Sequence, residues 1–169
     1  EILMHEMIIA SLAILLISSF TMRNPSPIAA SLIYWSVVTL IGISMGAIVL
    51  FYGRIPDGMV TVAKAFLITS ASFGALSLWG YTTKRDLSGW GTFLIMGVFG
   101  LIIASIVNMI VNSGPLGFAI SAIGVLIFAG LTAYDTQRLK FMYYQVGGDQ
   151  RAASVATTFG ALALYLNFI

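Results

Sequence analysis

Six apolar runs, five of them long enough to cross a bilayer, constrain this chain more than anything else in its sequence. A helical span of the hydrocarbon core takes about 20 consecutive apolar residues. Runs of that order read as spans over residues 2–20, 29–52, 59–81, 90–111 and 116–139, with a partial one at 152–169. Lipid offers no partner for a backbone N–H or C=O, so a run of this length pairs its own groups as a helix. The composition excludes the soluble alternative. Of 169 residues, 59% are hydrophobic and 8% charged, whereas a soluble domain carries about 25% charged residues. One polytopic all-α membrane domain over residues 1–169 is therefore expected.

The runs are separated by short breaks rich in proline and glycine: Pro25 to Pro27, Gly53 to Gly58 around Pro56, Ser113-Gly114-Pro115 and Gly147-Gly148-Asp149. Such residues punctuate helices. The loops are too short for anything but antiparallel neighbours. Alternate loops collect Arg23, Lys84, Arg85, Arg138, Lys140 and Arg151 on one side and only Arg54 and Lys64 on the other. Positive residues concentrate in cytoplasmic loops, which puts the six-residue side inside and Glu1 outside. A chain with a cytoplasmic N-terminus would then have one helix before this sequence. The expectation is of a piece cut at both ends, since Glu1 and Ile169 both lie in apolar runs.

Small residues recur at helix-packing spacing in Gly42/Gly46, Ser70/Gly74, Gly100/Ala104 and Ala129/Ala133. Pairs of this kind let two helix backbones approach closely, and packing within one bundle is the expected use. Trp35, Tyr52, Trp79, Tyr81, Trp90, Tyr143 and Tyr144 read as interfacial anchors.

Ionisable residues within spans are costly, so each is a functional candidate. Asp135 is the strongest, because it follows a long apolar stretch and precedes Thr136-Gln137-Arg138. Its plainer reading is a helix-end residue paired with Arg138 at i+3. His5 and Glu6 fall near the outer end of the first run, and Lys64 can extend its ammonium to the outer interface. Asn108 and Asn112 stand at i, i+4, either along a polar path or in interhelical hydrogen bonds. The chain has one histidine, no cysteine and a net charge of +2. Thiol chemistry and disulfides are excluded, and no metal-ligand cluster, nucleophile elbow or phosphate loop is present. The expectation is a non-enzyme without a cofactor, whose partner is the bilayer and not nucleic acid.

Four segments resemble, in order and spacing, those of the Bax inhibitor-1 family, the transmembrane Bax inhibitor motif proteins. The main one is Ser121-Ala-Ile-Gly-Val-Leu-Ile-Phe-Ala-Gly-Leu-Thr-Ala-Tyr-Asp135-Thr-Gln-Arg-Leu-Lys140. The others are Gly80-Tyr-Thr-Thr-Lys-Arg-Asp-Leu-Ser88, Ala104-Ser-Ile-Val-Asn108 and Gly160-Ala-Leu-Ala-Leu-Tyr-Leu-Asn-Phe-Ile169. The wording is closest to bacterial-type members. The resemblance implies seven helices, six around a central and more polar seventh, of which this chain holds the second to sixth and part of the last. It also implies a bacterial inner membrane, although a mitochondrial inner membrane would suit a sequence of this type.

The family is associated with a pH-sensitive calcium leak. Two buried aspartates, on the sixth and central helices, share a proton and gate the pore. Two close carboxylates cannot both ionise cheaply, so they titrate as a coupled pair. Asp135 matches the first of them. Arg23 is the nearest candidate for an arginine that latches onto the pair in some members. The second aspartate is replaced, because the motif Leu-Tyr-Leu-Asp-Phe-Ile here reads Leu-Tyr-Leu-Asn167-Phe-Ile. An amide cannot ionise, although its NH₂ can donate to a carboxylate. A weaker or displaced pH response, with Asp135 titrating alone, is the resulting expectation. Some bacterial relatives modulate a membrane-bound AAA protease, so the alternative is a non-conducting regulator that binds other membrane proteins.

Overall fold

The computed structural model describes residues 26–169, and they form five helices: α1 Pro27–Tyr52, α2 Gly58–Thr82, α3 Ser88–Val111, α4 Gly114–Val146 and α5 Gln150–Phe168. The expected first span, residues 2–20, with His5 and Glu6, lies outside the described residues, as does Arg23. No strand occurs among the described residues.

The breaks seen in the sequence act as helix starts and stops. The Ser26 hydroxyl accepts from the Ala29 N–H at 3.2 Å, with Pro27 opening α1, and Ser113 caps α4 in the same way ahead of Pro115. Proline suits the first turn because its missing N–H would have no helical partner there. Asp149 starts α5 by accepting from the N–H groups of Arg151 at 2.9 Å and Ala152 at 3.2 Å. Gly147 and Gly148 turn the chain just before it, at φ of 45° and 101°, where a side chain would be strained.

Four helices, α1 to α4, are long and apolar enough to cross a membrane. Their outward faces carry large exposed apolar side chains such as Met109, Ile110 and Phe118, each more than three-quarters exposed. In water such a surface would aggregate; in lipid it is solvated. The protein is a multi-pass helical membrane bundle. α5 falls outside the apolar set because Arg151, Ser154, Thr157, Thr158 and Asn167 interrupt it. It packs instead against α1, α2 and α4. Protein neighbours can satisfy polar groups that lipid cannot. Ile33, Val37 and Ile41 of α1 close on Leu162 of α5, and Phe168 meets Phe66 and Phe73 of α2 edge to face.

α4 runs seven residues beyond the end at 139 that the apolar pattern suggested. Hydropathy marks where a helix leaves the lipid, whereas the helix stops only at Gly147. At 1.5 Å per residue its 33 residues extend about 50 Å, some 20 Å more than a hydrocarbon core of about 30 Å. The excess carries Tyr143 and Tyr144, both exposed.

The glycines that bring helices together are mostly not those of the small-residue pairs. Gly42, Gly46, Gly74 and Gly100 have no foreign atom within 4 Å of a Cβ position among the described residues. Ala133, from the fourth pair, does lie at such a contact, against Gly80. A Cβ on Gly80 would run into the Ala133 backbone, one on Gly91 into the Tyr134 ring, and one on Gly160 into Leu139. Spacing identifies a small face, but the bundle decides which faces point inward.

Candidate functional site

All three of those contacts fall on α4 between Ala133 and Leu139, around Asp135. The carboxylate is half-buried, and the Asn167 amide on α5 donates to its Oδ2 at 2.8 Å. Positions 32 apart in sequence are thus joined across an antiparallel helix pair. The Leu139–Gly160 contact one turn along α4 keeps these helices close enough for that bond.

Asp135 is not at a helix end. α4 continues through eleven further residues, 136 to 146. Arg138 is exposed, and the hydrogen-bond partner of Asp135 is Asn167 rather than Arg138. The plainer reading of a terminal ion pair therefore gives way to an interhelical carboxylate–amide bond. Thr132 and Thr136 hold their hydroxyls on their own helix, donating to the carbonyls of Phe128 at 2.9 Å and Thr132 at 2.8 Å. Beyond Asn167 lies a cavity of about 450 Å³ between α2, α4 and the last turn of α5. Thr69, Ser72, Thr132 and Asn167 are its polar groups in an otherwise mainly apolar wall.

The other candidates are dispersed. Asn108 Oδ1 accepts from the Ser113 N–H at 3.2 Å, which ties the α3–α4 turn. Asn112 sits in that turn at φ 49°, capping α3 through its N–H to the Asn108 carbonyl at 2.7 Å. A left-handed residue leaves the helical repeat, so the two asparagines do not share the i, i+4 face read from the sequence. Lys64 is exposed on α2. Among the described residues no three His, Cys, Asp or Glu side chains come together as a metal site.

Gln137 was passed over in the sequence, and Lys140 was read only as one of the inside charges. Gln137 is 3% exposed, although its neighbours Arg138 and Lys140 mark a solvated helix end. Its Nε2 donates to the Arg85 carbonyl at 2.7 Å, and its Oε1 accepts from the Leu87 N–H at 2.9 Å. Lys140 donates to the Tyr81 carbonyl at 2.8 Å, with its ammonium 4.8 Å from the centre of the Tyr81 ring. A cation at the C-terminus of α2 meets the negative end of that helix's dipole. An amide placed between charged residues at the end of an apolar helix was the only available signal. In the loop between α2 and α3, the Ser88 hydroxyl and N–H together hold the Asp86 carboxyl below the ordinary carboxylate range.

Comparison with known proteins now places the chain. Residues 2–169 match the family described as "Inhibitor of apoptosis-promoting Bax1". An uncharacterised protein of Caulobacter vibrioides is 55% identical over 95% of this chain and 62% of its own length. The uncharacterised protein RP147 of Rickettsia prowazekii is 43% identical over 83% and 57%, and the inner membrane protein YbhL of Escherichia coli is 40% identical over 96% and 68%. The chain thus spans roughly three-fifths of the length of the first two. With a family match covering nearly every residue and a relative 40% identical over 96% of the chain and 68% of its own length, this chain belongs to the Bax inhibitor-1 family.

Proposed function

We propose that this chain forms part of a low-throughput calcium leak pathway in a bacterial inner membrane, with Asp135 and Asn167 at its gate. The observation that carries the reading is the 2.8 Å bond between a carboxylate inside a membrane helix and an amide on the next one. Calcium takes oxygen ligands, six to eight of them, from carboxylates, amide carbonyls and water. Asp135 and the Asn167 amide oxygen are ligands of that type, but two residues are too few to retain the ion. A site this sparse suits transit with water still bound. The family resemblance supports calcium as cargo, and the location of the E. coli relative supports the membrane.

The pH response follows from the substitution. Two acids sharing a proton titrate as a coupled pair, whereas one acid beside an amide titrates singly. The test is calcium flux from proteoliposomes across pH. Wild type should follow a single-proton profile, Asp135→Asn should flatten it, and Asn167→Asp should broaden it into two steps. If Asp135→Asn leaves the profile unchanged, Asp135 is not the sensor.

One observation favours a second reading, that of a regulator of other membrane proteins such as a membrane-bound AAA protease. Gly42 and Gly46 present a GxxxG face of α1 that meets no other described residue within 4 Å. Purified protein that carries no calcium but retains a stoichiometric membrane partner would favour this reading.

A further inference from the structure

α4 carries two opposed sets of contacts around Asp135. On one face stand Ala133, Gln137 and Lys140, at i, i+4 and i+7, so they line one side of the helix. Ala133 lies against Gly80, Lys140 reaches the Tyr81 carbonyl, and Gln137 bonds the Arg85 carbonyl and the Leu87 N–H. That face is fastened to the end of α2 and the loop leading into α3. On the other face Asp135 and Leu139, at i and i+4, meet Asn167 and Gly160 of α5. Two residues at 3.6 per turn are about 200° apart, so Asp135 and Gln137 point in nearly opposite directions.

Gln137 makes the more demanding of the fastenings. It is buried, and it both donates and accepts. The loop groups it satisfies have no helical partner of their own, and a buried unpaired backbone group is costly. Rotation of α4 about its axis would break both bonds and leave the buried Leu87 N–H and the Gln137 amide without partners. The direction in which Asp135 points is therefore fixed from the far side of the helix.

We propose that Gln137 is a positioning residue: by locking the rotation of α4 against the α2–α3 loop, it holds Asp135 in register with Asn167. Its consequence for gating rests on the channel reading above, but the positioning itself does not. Lys140 supports the same face one turn on, where its single bond tolerates more movement.

The sequence contains no cysteine, so a reporter pair can be introduced on a clean background. Leu139→Cys with Gly160→Cys reports the α4–α5 register one turn from Asp135. In otherwise wild-type protein this pair should cross-link readily in membranes. Adding Gln137→Met, which keeps the volume but removes both bonds, should slow cross-linking about tenfold, the factor expected from about 1.4 kcal/mol. Gln137→Glu keeps the acceptor for Leu87 but loses the donor to Arg85, so an intermediate rate is expected; it also serves should Gln137→Met fail to insert. A role confined to stabilising the loop would lower protein yield without changing the α4–α5 rate in the folded fraction. An unchanged rate in both variants overturns the proposal. The pH profile of calcium flux, measured on Gln137→Met and Gln137→Glu without the cysteines, should shift towards that of Asp135→Asn. If wild type carries no calcium, the channel reading fails and cross-linking still decides the positioning. If wild type conducts and cross-linking is unaffected, the positioning fails alone.

Discussion

The two ends of the bundle are built differently. At the end rich in Lys and Arg, the backbones of α2 and α4 touch at Gly80 and Ala133, the Tyr134 ring lies over Gly91, and Gln137 and Lys140 tie α4 to the loop before α3. At the opposite end the α3–α4 turn is held by local bonds, among them that from the Ser113 N–H to Asn108 Oδ1, and midway between the ends Gly100 of α3 has no described atom within 4 Å of a Cβ position. The first end is closed by backbone contact and buried bonds between helices; at the second the helices meet through side chains, such as the Asn108 amide 3.2 Å from a Cβ position on Gly117. Asp135 belongs to the first end. A carboxylate that must keep one partner across a helix pair needs a backbone that does not drift, and helix-to-helix contacts supply it.

The contrast is tested hardest at the glycines. Gly80→Ala places a methyl group against backbone that cannot swing aside, and should cost about 3 kcal/mol. Gly100→Ala meets no described atom and replaces a poor helix former, so it should lie between no change and a gain of about 1 kcal/mol. Thermal unfolding in detergent measures both; equal stabilities would erase the distinction between the closely packed end and the open middle of α3. Gly160→Ala should fall between them, because the obstructing atoms are the methyl end of Leu139.

The next effect is at the interhelical bond. Asn167→Leu removes the donor to Asp135 and should cost about 2 kcal/mol, the usual loss when a half-buried polar group is left without its partner. A neutral result in the same unfolding assay would mean that Asp135 is held by something other than α5.

The lysines give a smaller contrast of the same kind. Lys140→Met loses the bond to the Tyr81 carbonyl and the contact with its ring, and should cost about 1 kcal/mol. Lys64→Met, on an exposed face, should change stability by less than about 0.5 kcal/mol. The smallest effect concerns acid. Ser88 lowers the folded pKa of Asp86, so the contribution of the charged form is complete above the ordinary carboxylate range and is lost as pH falls through the lowered value. Hydrogen exchange at the Ser88 N–H should accelerate only in that acid window relative to a neighbouring amide, and Asp86→Asn should remove the inflection.

Much of this molecule could be read before any helix was placed. Apolar runs and Pro/Gly breaks located the helices, because a lipid-facing helix must be apolar along its length and a proline or glycine ends it. Asp135 stood out as a charge after a long uncharged stretch, and Asn167 as a departure from a motif. Gln137 did not stand out. Its burial depends on a loop 50 residues away, which no local pattern encodes. The small-residue pairs were only partly informative for a related reason: spacing shows that a face is small, and among the described residues Ala133 lies against another helix at Gly80. Asn108 and Asn112 seemed to share a face from their spacing alone, although the apolar run already ended at 111, one residue short of Asn112.

The sequence by itself determined that this is a multi-pass helical membrane protein and where its helices begin. Those properties follow from composition and near-neighbour chemistry, which each segment carries alone. Only the tertiary structure decided that Asp135 faces α5 rather than Arg138, that Asn167 reaches it, and that Gln137 fixes α4 from behind. These depend on how each helix is turned about its axis. That rotation is set where backbones meet across the bundle, at Gly80 and Gly160 among others, and distant residues must be assembled before it exists.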